Sequence, residues 1–145
     1  MDARAQIENL MAAYCRAYDE GDLEGYAALF AHGRITNPFD GTPMTTAQQI
    51  EDFHRTHVHF YDGLPQTRHV VTNIEIDVDE DGGTASGKCY LTVYQALPDF
   101  PLQAIFIGSF FDKFHRIDGI WYFLERRWVT HLMGDNSRHG RVVQM

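Results

Sequence analysis

Four side chains of this sequence suit proton transfer: Asp19, His69, Tyr14 and Arg126, spread over three segments of the chain. His69 stands second in the stretch "RHVVTNIEI", in and just beyond which Ile74, Ile76 and Val78 alternate with Glu75, Asp77 and Asp79 in the period of a half-buried strand. A histidine at such a place is either an ordinary strand-end residue or a proton-handling group at the mouth of a cavity. Asp19 falls in the last turn of a helix, where a carboxylate meets the negative end of the dipole at a cost of about 0.3–1 kcal/mol if exposed. Helix formation does not ask for it, although "DEGD" also reads as a solvated connection. Tyr14 belongs to the apolar stripe of the same helix, and its hydroxyl needs a partner if buried. Arg126 lies in "WYFLERRWVTH", where strict alternation sets it between Leu124 and Trp128 on an apolar face. A guanidinium there requires an anionic partner, either a substrate group or a structural carboxylate.

The elements that must position these groups are legible from periodicity and punctuation. Ile7, Leu10, Met11, Tyr14 and Tyr18 recur at helical spacing, predicting a helix over 3–19 that Gly21 ends. Asp22 is placed to cap a short helix through Phe30. "GRITNPFDGTP" reads as a short strand and a turn; Thr45 or Thr46 then caps a third helix, "AQQIEDFHRTHVHF". Strands are predicted over 68–79, 84–96, 102–116 and 120–131, joined by short Gly- or Pro-bearing turns as antiparallel hairpins. Helices followed by a meander of long strands give an α+β fold whose curved sheet wraps the first helix around a conical hollow. The tail "GDNSRHGRVVQM" reads as a loop over the surface or a neighbouring subunit.

At 145 residues, with 44% hydrophobic and 22% charged side chains, the chain has the length and composition of one soluble domain, spanning 1–145 with its core over about 3–131. The net charge of −8 and the lack of a basic cluster argue against nucleic acid as a partner. No run has the length of a membrane span, and the amino terminus lacks the apolar stretch of a signal peptide, so a cytoplasmic location is expected. Cys15 and Cys89 form no metal or disulfide spacing. His54, His57 and His59 cluster in sequence, but only the first two share a helical face, and no metal is expected.

With these residues in place, the chain resembles the SnoaL-like branch of the nuclear transport factor 2-like superfamily, over about residues 3–131. In its scytalone dehydratase, hexachlorocyclohexane dehydrochlorinase and bile-acid 7α-dehydratase, an Asp ending the first helix pairs with a His on a strand. "YCRAYDEGD" resembles that pattern at Asp19, "RHVVTNIEI" at His69 and Asn73, and "DGIWYFLERRW" resembles the Asp-Gly-x-Trp strand that carries an Arg, here Arg126. The Tyr-x-x-x-x-Asp spacing from Tyr14 to Asp19 is similar to that of the bile-acid dehydratase.

The resemblance implies a cystatin-like cone and a cofactor-independent lyase or isomerase acting on a small hydrophobic cyclic or polyketide-like compound. His69 would be the base, Asp19 its orienting carboxylate, and Tyr14 or Arg126 the stabiliser of a leaving group or enolate. Phe30, Phe53, Tyr94, Phe110 and Trp128 would line an apolar funnel. The alternative is a binding module or structural subunit, as in the small subunits of ring-hydroxylating dioxygenases, which share the fold. A homo-oligomer, dimer or trimer, is expected. One difficulty of parity arises: His69 has the opposite strand parity from Ile74, Ile76 and Val78. Either those aliphatics face the outer side, or a bulge near Val70-Val71 re-aims the histidine; its side chain is expected to point into the cavity.

Overall fold

The computed structural model describes residues 1–141. Its elements run α1 (Ala3–Asp19), α2 (Leu23–Ala28), β1 (Arg34–Thr36), β2 (Pro43–Met44), α3 (Ala47–His57), β3 (Thr67–Asp79), β4 (Thr84–Leu97), β5 (Phe100–Ile117) and β6 (Ile120–Met133). The six strands form one sheet in the order β2-β1-β6-β5-β4-β3. The last four strands pair antiparallel in sequence, as expected of hairpins. The short β1 adds a parallel edge beside β6 and carries β2 outside it, a pairing that its three residues did not announce.

Helix α1 begins where the Asp2 side chain accepts from the Ala5 amide, and it buries Ile7, Met11, Tyr14 and Tyr18 against the sheet. Helix α3 starts with a capping box, in which Thr46 accepts from the Gln49 amide and Gln49 reaches back to the amide of Thr46. Gly21 turns the chain at the end of α1 with φ +70, and a Cβ there would collide with the Gly63 carbonyl oxygen. The backbone of the segment before β3 therefore lies directly against the end of α1, which brings Asp19 to the start of β3.

Two bulges decide which side chains face inward. On β3 the pairing jumps from Thr72–Tyr90 to Glu75–Lys88, so Asn73 and Ile74 together oppose Cys89. Asn73 takes φ +53, a left-handed conformation that asparagine accepts more readily than most residues. The bulge reverses parity, and His69 and Val71 share the inner face with Ile74, Ile76 and Val78. It lies a few residues later than Val70-Val71, where parity alone placed it. On β6 the pairing passes from Lys113–Glu125 to Phe114–Phe123, leaving Leu124 as the extra residue. Trp121 and Phe123 thereby join Arg126 on the inner face, whereas strict alternation had set them opposite it.

The tail, whose last four residues lie outside the described residues, folds back over its own chain. Gly134 donates to the Ile105 carbonyl, His59 to the carbonyl of His139, and Arg141 to that of His57. Gln95 and Tyr61 both donate to the Arg138 carbonyl, so this strap is fastened at several points beside the end of α3. Among the described residues no helix is long and apolar enough to cross a membrane.

Candidate active site

Between α1, α3, the sheet and the strap lies a cavity of about 330 Å³. Asp19 is held at its edge by three donors. Thr67 Oγ1 donates to Oδ1 at 2.8 Å, the His69 amide to Oδ2 at 2.8 Å, and His69 Nδ1 to Oδ1 at 2.6 Å. A carboxylate only accepts, so the proton of the neutral imidazole sits on Nδ1 and Nε2 is left bare. Burial pushes the Asp19 carboxyl upward, but the hydrogen bonds and charge of His69, helped by Thr67, outweigh it and hold Asp19 below the usual carboxylate range. The unfavourable carboxylate at the helix end is thus offset by dedicated donors on β3. The His69 side chain is only 2% exposed and forms part of the cavity wall.

Tyr14 also lines the cavity, with its ring edge-on to that of His69 at 6.4 Å between centroids. Its hydroxyl accepts from Tyr26 at 2.8 Å, which leaves its own proton for a third group. Burial pushes Tyr14 up to about 12 against the opposing pull of the Arg126 charge, so it stays protonated and can donate.

Arg126 is not in the cavity wall, which corrects the expectation that it would meet a leaving group. It is fully buried, donating from Nε at 2.9 Å and Nη2 at 3.2 Å to the two oxygens of Asp112, itself buried. Burial alone would weaken its charge, and the Asp112 carboxylate outweighs that. Its guanidinium carbon lies 3.6 Å from the Phe110 ring centroid and 4.4 Å from that of Tyr14. Arg126 is therefore the ion-paired support behind two rings of the wall.

Of the predicted funnel, Phe53, Phe110 and Trp128 line the cavity. Gly108 leaves room for the Trp128 ring, since a Cβ there would strike its outer edge. Phe30 does not reach the wall; it is core, stacked on Phe123 at 5.0 Å. Tyr94 is on the opposite face, 38% exposed, because Cys89, Leu91, Val93 and Gln95 take the inward parity of β4.

Three groups in the wall escaped the sequence reading as site residues. Tyr18 lies tilted over His69 at 4.3 Å. His54 is buried on α3, and His139 reaches in from the strap to meet the Tyr18 hydroxyl at 3.1 Å. Tyr18 shows its inward position through the α1 stripe, but His139 stands in a segment with no periodicity to place it. The described wall contains no Lys, Arg, Asp or Glu, so apart from the Asp19–His69 pair the site is electrically neutral when its imidazoles are.

No curated protein matches the sequence. Among solved structures, an NTF2-like protein with a cystatin-like fold from Novosphingobium aromaticivorans superposes with a TM-score of 0.72 at 18% identity, over 93% of this chain and 85% of that one. A protein of unknown function with a cystatin-like fold from Nostoc punctiforme gives 0.71 at 23% identity, over 90% and 94%. LinA gives 0.70 at 18% identity, over 99% and 91%. Likeness at these identities shows the fold: the helix-filled curved sheet is of the NTF2-like, cystatin-like type. The model of the SnoaL-like domain matches residues 1–127, nearly all of the helices and strands described above, and the chain belongs to the SnoaL-like domain family.

Proposed function

We propose that the chain is a cofactor-independent lyase or isomerase, of dehydratase, dehydrohalogenase or cyclase type, acting on a small uncharged ring. The observation that carries this reading is the bond from His69 Nδ1 to Asp19 at 2.6 Å, in an apolar cavity. It fixes the tautomer that presents Nε2 as a base and keeps a carboxylate against the imidazolium formed when a proton is taken.

For a β-hydroxy ketone the steps balance within these groups. Nε2 removes the proton next to the carbonyl while the Tyr14 hydroxyl donates to the carbonyl oxygen, where charge develops. The electron pair of the broken C–H bond becomes the new C=C bond, and the C–O bond to the leaving hydroxyl breaks. The proton held on Nε2 passes to the departing oxygen, water leaves, and the base is restored. A halide would depart as the anion, and stopping at reprotonation on another carbon gives an isomerase.

The neutral, aromatic wall supports an uncharged ring, because a carboxylate or phosphate would find no cation there. The test is elimination from cyclic β-hydroxy and β-halo ketones, starting with 3-hydroxycyclohexanone and 3-chlorocyclohexanone and followed by the appearance of the enone without added cofactor. Turnover that falls about 10²–10⁴-fold in His69→Gln is the expected result. Binding without turnover across the panel would reduce the cone to a binding module.

A further inference from the structure

His54 and His139 take no part in those steps, yet both are buried side chains in the cavity wall. His54 Nδ1 lies 2.9 Å from the Ile50 carbonyl one turn earlier on α3. A carbonyl cannot donate, so the ring proton is on Nδ1 and Nε2 is a bare acceptor. The ring packs edge-on against Tyr18 at 5.3 Å and Tyr26 at 4.4 Å, which holds it in this orientation. His139 is fixed by its Nε2 contact to the Tyr18 hydroxyl, and its Nδ1 is buried with no partner among the described residues. Burial drives His54 down to about 4 and His139 down to about 3, so both are neutral near pH 7. Tyr18 thus stands between two uncharged imidazoles, each with a nitrogen that no described residue engages.

Buried polar atoms left unpaired are costly, and a sequence that needed only an apolar wall would place Phe or Leu at both positions. We propose that His54 and His139, flanking Tyr18, form a subsite for an uncharged hydroxyl, so that the cavity selects a hydroxylated ring over its halogenated counterpart. The hydroxyl donates to His54 Nε2, beside the Tyr18 ring whose own hydroxyl is held by His139. A halogen of similar size offers no donor and leaves the subsite unsatisfied, which is how sites built for a hydroxyl reject analogues that lack one. The inference deepens the lyase reading, since it favours elimination of water over that of halide, but it concerns binding and does not need turnover.

The experiment is an equilibrium titration of 2-naphthol and 2-chloronaphthalene, followed by protein-observed NMR, on the full chain. The parent is expected to bind the naphthol at least about tenfold more tightly. In His54→Phe, and independently in His139→Phe, the preference is expected to fall to near one while affinity for 2-chloronaphthalene is kept. That retained affinity shows that the cavity is intact. Asp19→Asn is expected to keep the preference even where elimination is lost, which separates failure of the subsite from failure of the base. Equal binding of the two probes by the parent, a preference surviving in both Phe variants, or its loss in Asp19→Asn would each overturn the proposal.

Discussion

Replacing Arg126 by Met, Asp112 by Leu, and then both together, separates a structural ion pair from a catalytic arginine. Both side chains are fully buried and joined by two hydrogen bonds of 2.9 and 3.2 Å. Either single change strands one charge in the core, which costs about 3–5 kcal/mol for a buried pair. The lone guanidinium left by Asp112→Leu keeps its contact with the Phe110 and Tyr14 rings, which recovers on the order of 1–2 kcal/mol. Asp112→Leu is therefore expected at the lower end of that range. So is Arg126→Met, because burial already pushes the Asp112 carboxyl up and a proton can neutralise it once the guanidinium is gone. The double variant leaves no charge to strand and is expected to be more stable than either single one, by about 1–4 kcal/mol. Urea unfolding read by tryptophan fluorescence gives all four values, and a loss of 4 kcal/mol lowers the melting temperature by roughly 8–16 °C in a chain of this size. The reasoning fails if the losses simply add in the double variant. It fails equally if Arg126→Met stays as stable as the parent but loses turnover, for the guanidinium would then be acting on substrate.

Tyr14→Phe is expected to lower kcat by about 10²–10³-fold with little change in ligand affinity, as for removal of one donor to a developing oxyanion. Because Tyr14 is pushed up to about 12, its ionisation should put no falling limb on the pH–rate profile below pH 10. Acid stability should fall early. His54 is depressed from 6.5 to about 4, so the unfolded chain binds the extra proton between these values, and about 3 kcal/mol is lost as pH drops through them. His139 acts in the same direction down to about pH 3, and the lowered Asp19 adds a further loss as pH falls below the ordinary carboxylate range. Urea midpoints measured from pH 7 to 4 should decline steadily, and less steeply in His54→Phe. Asn73→Val should cost about 1–2 kcal/mol by forcing a β-branched residue into a left-handed conformation, whereas Asn73→Gly should be nearly neutral in the same assay. Tyr94→Ala, on the outer face, should leave turnover unchanged.

Period and punctuation were enough to read α1 and the four long strands, because each buries one face over more than ten residues. An acidic residue that the helix end itself does not favour marked Asp19, but its pairing with His69 came from the likeness of "YCRAYDEGD" and "RHVVTNIEI" to the family pattern. Strict alternation misled at Leu124, since one extra residue inverts every inward assignment beyond it, whereas on β3 the parity conflict itself announced a bulge and only its position, at Asn73, was missed. Alternation along β4 by itself sets Tyr94 with the outward Tyr90, so its place in the funnel rested on ring type and not on parity. Phe30 was likewise placed in the funnel as an aromatic ring, yet it is claimed by Phe123 in the core. His139 was out of reach for a different reason: a strap held by backbone hydrogen bonds carries no pattern in its side chains.

The most direct test of the central claim is the ¹⁵N spectrum of the His69 ring in the parent and in Asp19→Asn, recorded where the imidazole is neutral. A single tautomer is expected in the parent, protonated at Nδ1 and bare at Nε2, with that preference lost when the carboxylate becomes an amide. The same tautomer in both proteins, or a parent ring protonated at Nε2, would mean that Asp19 does not set the base and that the proposed chemistry has no foundation.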